Sequence, residues 1–235
     1  MMSKNSELPI SPLYFILSSF FVTSLLLSNI IAGKMATFFG LTLPAAVFLF
    51  PLTYIFGDIL TEVYGFKKAR FTIWIGLFAN LFMALVFVLT LALPFPEFWG
   101  RQEAYQTVLG MTPRLVGAST IAYFAGEFLN SAVLSKLKLK TAGRMLWVRT
   151  IASTIVGEGI DTLLFITIAF LGTMPWGTLK NVMLAQYLWK VAYEIVVTPL
   201  TYLVVGWVKK KEGVDVYDHD VKYHPFSLDW RRDHE

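Results

Sequence analysis

The 235-residue chain contains no cysteine, which excludes disulfides, thiolate nucleophiles and cysteine metal ligands. Its three histidines, His219, His224 and His234, all fall near the C-terminal end. The rest of the chain therefore has no imidazole for general-base catalysis or for a Cys/His metal site. No GxxxxGK[ST] loop is present, so there is no Walker-type nucleotide site, and no GxSxG elbow marks a serine nucleophile. Charge is scarce as well: charged residues make up 15% of the chain against 56% hydrophobic ones. That balance is too apolar for a soluble globular domain.

What the sequence does have is long apolar runs. A spanning helix needs about 20 mostly apolar residues, and the pattern predicts six such helices, over residues 12–32, 43–64, 71–93, 113–135, 150–172 and 183–208. The expected fold is an all-α integral membrane protein. Residues 1–11 form a cytoplasmic N-terminal segment, 12–208 a six-helix transmembrane domain, and 209–235 a cytoplasmic tail that is partly ordered at most. The first run is too long for a cleaved signal peptide and five more follow it. Fifteen basic residues fall on one side of the alternating topology: Lys4, the 67–70 group, the 136–149 group and those after 208. Four fall on the other: Lys34, Arg101, Arg114 and Lys180. This bias places both termini in the cytoplasm. The 95–112 connection is then external and suits a short interfacial helix.

Seven ionisable residues lie inside the runs: Asp58, Glu62, Glu127, Glu158, Asp161 and Glu194 against Lys190. An isolated charge at mid-span costs about 2.5–3.5 kcal/mol on insertion scales, so such residues face one another, water or a ligand. Asp58 and Glu62 are spaced i,i+4. Glu127 with Asn130 and Glu158 with Asp161 are spaced i,i+3. Lys190 and Glu194 are spaced i,i+4, with Tyr193 beside them. Each pair shares a helix face. By depth, Asp161 and Glu194 fall near the midplane, Asp58, Glu127 and Glu158 cytoplasmic of it, and Lys190 toward the outside. Glu62 falls near the inner interface, where it is expected to snorkel. Lys190 neutralises one acid; the rest require protonation, water or a cation. The plainer reading makes Lys190 with Glu194 or Asp161 a fixed ion pair that holds helices together. A glycine–acid pattern recurs at Gly57-Asp58, Gly126-Glu127 and Gly157-Glu158, which suits either an inverted three-plus-three repeat or close helix approach. Gly157 and Gly159 also suggest a local irregularity in the fifth span. Tyr54 and Tyr193 are among the aromatic residues that accompany the polar stripe.

With these residues assembled, the chain resembles the queuosine precursor transporter family, also described as vitamin-uptake-transporter-like. The resemblance is carried by Ser28-Asn29, Phe50-Pro51, GDILTEVYGFKKAR from Gly57, AGEFLNS from Ala125, RTIASTIVGEGIDTLLF from Arg149 and YLWKVAYEIVVTP from Tyr187. It covers roughly residues 13–208. It implies a bacterial inner-membrane importer of 7-deazaguanines such as preQ0, preQ1 or queuine. Such a protein works alone or as a homodimer, and its plan is similar to the six-helix substrate-binding subunits of energy-coupling-factor transporters. A guanine-like base presents N1–H and a 2-amino group side by side, which one carboxylate accepts in a bidentate pair. Asp161 or Glu194 suits that role, and Asn29, Asn130 and Gln186 suit the other edge. Glu127 or Asp58 suits the aminomethyl cation of preQ1, with Lys190 and Tyr193 completing the site. The expected partners are this nucleobase-like solute and membrane lipid, with no cofactor, metal or nucleic acid. The alternatives are a binding subunit that needs a separate ATPase, a membrane enzyme using paired carboxylates, and a membrane scaffold.

Overall fold

The computed structural model describes residues 11–32, 34–38, 41–110, 113–172, 175–219 and 221–226. Most of the N-terminal segment and residues 227–235 therefore lie outside the described residues, as do Lys4, Arg231, Arg232 and His234. The described residues form seven α-helices, one short hairpin and a 3-10 turn.

Helix α1 spans Pro12–Ile31. It starts where Pro12 presets the backbone and Ser11 accepts a hydrogen bond from the Tyr14 amide, a side-chain cap for a donor the helix leaves unpaired. Strands β1 (Met35–Phe38) and β2 (Leu41–Pro44) follow as an antiparallel pair, with Met35 opposite Pro44. The hairpin is a departure from the all-α expectation, and the 43–64 run begins in β2 rather than as helix. A 3-10 turn at Ala45–Phe48 leads into α2 at Phe50–Tyr64. Twelve of the fifteen α2 residues are buried, so α2 is the central element, packed on by α1, by α3 (Phe66–Ala92) and by the later helices at Pro113–Lys140 and Trp176–Glu212.

Helix α3 starts five residues earlier than the sequence pattern indicates. Lys67, Lys68 and Arg70 belong to its first turns rather than to a loop. The break from α2 is a single residue, Gly65, at φ 83°. A Cβ there would approach Val216 at 2.7 Å and Asp218 at 2.9 Å, so both backbone conformation and space require glycine. Helix α4 (Gln102–Leu109) is the short helix expected in the 95–112 connection, and none of its residues is buried.

Helices α5 (Pro113–Lys140), α6 (Leu146–Phe170) and α7 (Trp176–Glu212) complete the bundle. α6 runs unbroken through Gly157 and Gly159, so the expected irregularity there is absent. The Cα atoms of Gly126 and Gly157 face each other across α5 and α6. A Cβ on Gly126 would lie 2.9 Å from the Gly157 carbonyl oxygen, and one on Gly157 would lie 2.8 Å from that of Gly126. Close approach of α5 and α6 is the function of these two glycines.

Five of the helical stretches are long and apolar enough to cross a membrane: Pro12–Ile31, Ala45–Tyr64, Phe66–Ala92, Leu146–Phe170 and Trp176–Glu212. α5 is long enough at 28 residues, but its Glu127, Asn130, Ser131 and Ser135 dilute its apolar character. All four of those residues are buried. Large apolar side chains such as Phe78, Phe82, Val196 and Leu203 point outward. This inverted distribution, polar inside and apolar outside, is that of a multi-pass membrane protein.

The tail is more ordered than its composition implies. Beyond Gly213 it turns back across the end of the bundle. The Val216 amide donates to the Val63 carbonyl at 3.1 Å, and Tyr223 packs on the ring of Phe66 at 4.8 Å between centroids. The Trp74 indole donates to the Pro225 carbonyl at 3.0 Å.

Candidate functional site

Four helices bring their charged residues to one interior region. α2 contributes Tyr54 and Asp58, α5 contributes Glu127 and Asn130, α6 contributes Glu158 and Asp161, and α7 contributes Lys190 and Glu194. All are buried. The Lys190 ammonium donates to Glu158 Oε2 at 2.6 Å and to Asp161 Oδ2 at 2.7 Å, and it lies 4.5 Å from the centre of the Phe50 ring. Lys190 thus joins α7 to α6 through two acids. The pairing with Glu194 on its own helix, allowed by the i,i+4 spacing, is not the one adopted.

Among the described residues, the other half of the region has no cation, and several of its polar atoms have no hydrogen-bond partner. Asn130 Nδ2 donates to Asp58 Oδ1 at 2.6 Å, while Asp58 Oδ2 and Asn130 Oδ1 are among the unpartnered atoms. Glu127 is completely buried, with both carboxylate oxygens unpartnered. Its Oε1 lies against Gly57, where a Cβ would collide with it. The Tyr54 hydroxyl is unpartnered beside Gly126, and so are Glu194 Oε1, Thr154 Oγ1 and Thr162 Oγ1. Buried polar atoms are nearly always hydrogen-bonded, so this concentration of unpartnered atoms singles the region out as the candidate site. Asp58 is within Coulombic reach of Glu194 and Glu127, and Glu127 within reach of Glu158 and Asp161, so the two halves form one electrostatic unit.

The remaining residues expected at the site are placed as follows. Gln186 and Tyr193 are half-buried on α7. Gln186 lies one turn before Lys190, and Tyr193 packs on the apolar core of the bundle. Asn29 is elsewhere: its side chain donates to Asn80 at 2.9 Å and accepts from Ser119 at 3.0 Å. It ties α1 to α3 and α5, and both ends of its amide are engaged. Thr154 and Thr162 were not anticipated. Their signal was their placement on the α6 face of Glu158 and Asp161, but threonine is too common in membrane helices to single out. Among the described residues, no group of acids and histidines is arranged to hold a metal ion.

Glu62 belongs to a different cluster and does not snorkel. It is fully buried, and Arg149 donates to it from Nη2 at 2.7 Å and from Nε at 3.2 Å. Lys209 reaches the same carboxylate at 2.7 Å. Lys138 Nζ donates to the Glu62 carbonyl at 2.5 Å, to Asp215 Oδ1 at 2.5 Å and to the Val216 carbonyl at 2.7 Å. Arg149 also donates to Thr141 and to the Arg144 carbonyl. Three basic residues that read as topology anchors therefore neutralise an acid one helical turn from Asp58. The ratio of six acids to one base, counted over the spans, does not describe the interior.

Residues 44–204 match the model of a family described as "Putative vitamin uptake transporter". The chain belongs to the vitamin uptake transporter family. It is also similar to a protein of Bacillus subtilis (strain 168) named "Probable queuosine precursor transporter". The two are 30% identical over 188 residues, 79% of this chain and 81% of that one. No solved structure matches. As a vitamin uptake transporter family member, the protein is a membrane transporter and not an enzyme. The family segment holds every residue of the central polar region together with Glu62, Lys138 and Arg149, whereas Lys209, Asp215 and the tail lie beyond it.

Proposed function

We propose that this protein imports 7-deazaguanine precursors of queuosine, such as preQ0, preQ1 or queuine, across a bacterial inner membrane by facilitated or proton-linked transport. In this reading six helices span the bilayer, α5 included, both termini are cytoplasmic, and residues 12–208 form the transport domain. The polar stripe that weakens α5 as an isolated span is buried in the bundle and carries part of the site. The basic excess on one side supports the orientation.

The observation that carries the proposal is the set of buried, unpartnered acceptors on Asp58, Glu127 and Glu194 beside the Lys190–Glu158–Asp161 triad. A 7-deazaguanine presents a donor-rich N1–H and 2-amino edge, and preQ1 adds an ammonium. Acceptors without donors in the protein suit such a solute. Glu194 or Asp161 receives the guanine-like edge, and Asp58 with Glu127 receives the aminomethyl cation. Asn130 serves the remaining edge, with Gln186, Tyr193 and Tyr54 as flanking groups. The name of the Bacillus subtilis relative supports the same substrate class.

The test is uptake of labelled preQ1, preQ0 and queuine by cells unable to make these precursors, with and without the gene. It should be run across external pH and in a host that lacks energy-coupling-factor ATPases. Gene-dependent uptake in that host supports a self-sufficient importer, and a rise at acid pH supports proton linkage. No uptake of any of the three, with the protein present in the membrane, overturns the proposal.

A further inference from the structure

A second polar construction lies at the end of the bundle that holds the α2–α3 break and the tail. We infer that the tail, through its described residues 215–219 and 221–225, is the cytoplasmic gate of this transporter, a strap latched by Lys138 that lifts to let solute leave. The word cytoplasmic rests on the orientation proposed above; the geometry of the latch does not.

The strap is fastened to α2, α3 and α5, of which α2 and α5 carry part of the central site. Asp218 accepts from the Phe66 amide at 2.9 Å and from Ser135 at 2.5 Å, joining the start of α3 to α5. Arg70 donates to the Lys222 and His224 carbonyls at 3.2 and 3.1 Å. Lys138 on α5 grips Asp215 and the Val216 carbonyl from the other side. A polar seam between α2 and α5 leads from the central region to this latch. It runs from Asp58–Asn130, through the buried contact of Thr61 with Ser131 at 3.1 Å, to Glu62 and Lys138. This polar seam connects the central region to the strap and ends beneath it, which makes it the natural exit for a polar solute.

The charges are distributed so that the strap can leave without stranding an ion. The Asp215 side chain is 41% exposed, whereas Arg149 and Glu62 are 1% and 0% exposed. When Asp215 departs it enters water, where an ion pair of this kind is worth little. Glu62 keeps Arg149 and Lys209, and Lys138 keeps Glu62 at 3.8 Å. Breaking the inner pair instead would expose a buried charge, which is far costlier. Gly213 stands at the junction of α7 and the strap at φ 63°, and a Cβ there would meet nothing within 4 Å. That is the freedom a hinge requires.

The absence of native cysteine makes the test direct. In the full chain carrying Ser135→Cys and Asp218→Cys, copper-phenanthroline oxidation fastens the strap to α5. Uptake of labelled preQ1 should fall by about tenfold or more on oxidation and return with dithiothreitol. Oxidised protein that transports like the reduced form, or a pair that fails to cross-link, overturns the gate. If the parent protein imports none of the three 7-deazaguanines, the substrate reading fails and the gate is judged by labelling alone. A single cysteine at Ser131→Cys, beneath the strap, is reacted with a membrane-impermeant maleimide in inverted vesicles. Adding Asp215→Asn and Asp218→Asn should raise its labelling rate by about tenfold. An unchanged rate overturns the inference.

Discussion

Replacing Lys190 with methionine removes the ammonium that Glu158 and Asp161 share and keeps the length and apolar packing of the side chain. The contacts are 2.6 and 2.7 Å. At an effective dielectric constant of about 20, each attraction is about 6 kcal/mol, and most of it offsets the desolvation of the three charges. Deleting one partner from such a group costs about 3–5 kcal/mol, because the acids are left buried without compensation. For a domain of this size that corresponds to a fall in Tm of about 6–20 °C. The assay is thermal unfolding of the purified protein in detergent, followed by size-exclusion chromatography of heated samples. One further observation separates this electrostatic cause from simple misfolding. The triple variant Lys190→Met, Glu158→Gln, Asp161→Asn should regain most of the lost stability, giving a large favourable coupling in the mutant cycle. A Lys190→Met protein that melts with the parent would refute the reasoning: the triad would then contribute neither stability nor a penalty when broken.

Asp161→Asn keeps the Lys190–Glu158 bond and should leave the protein folded while uptake of preQ1 is lost; parent-like uptake removes Asp161 from the site. Gly157→Ala should lower Tm by a cost of about 1–3 kcal/mol, because a Cβ 2.8 Å from the Gly126 carbonyl pushes α5 from α6. Gly159→Ala, whose Cβ would meet Tyr187 at an ordinary 3.6 Å, is the tolerated control, and equal Tm values for the two variants would count against the packing argument. The Asp215 carboxyl is raised by partial burial, but hydrogen bonds from Lys138 and Lys209, with their charges, outweigh this and hold it below the usual carboxylate range. Its contribution is therefore fully present above about pH 4, the unfolded value, and lost as pH falls through the lower folded value. Hydrogen exchange at the Val216 amide should stay protected from pH 7 to pH 5 and lose protection well below pH 4; loss already at pH 5 would contradict this pairing.

The membrane architecture was legible because long apolar runs and the bias of Lys and Arg report directly on transfer energies. The i,i+3 and i,i+4 spacings were enough to put Asp58, Glu127, Glu158, Asp161, Lys190 and Glu194 on inward faces. Three things escaped. Helix rotation and offset decide which face meets which, so spacing left Lys190 with a choice of acids. The expectation that Asn29 serves a guanine-like edge came from the resemblance and the substrate chemistry, and its amide is engaged by Asn80 and Ser119 instead. A basic residue near a span end satisfies the topology rule whether it is solvated or ion-paired, so nothing in the pattern distinguished Lys136 from Lys138 or Arg144 from Arg149. The tail reads as polar and mixed in charge because many of its contacts use backbone carbonyls at Val216, Lys222, His224 and Pro225, which composition does not record, and because nothing in the pattern pairs Asp215 and Asp218 with Lys138 and Ser135.

The Glu62 cluster also sets an order for biogenesis. Glu62 leaves the ribosome on α2, while the side chains that neutralise it follow 76, 87 and 147 residues later, at Lys138, Arg149 and Lys209. From the emergence of α2 until that of Lys138 and Arg149, the nascent chain therefore carries an acid in its central helix without these counter-charges. That acid must be held at the translocon, in the lipid headgroups or as the neutral form until α5 and α6 have been inserted. The bundle closes around Glu62 late, with Lys209 and the tail arriving last, so integration of the early helices and completion of the fold are separate events in the life of this protein.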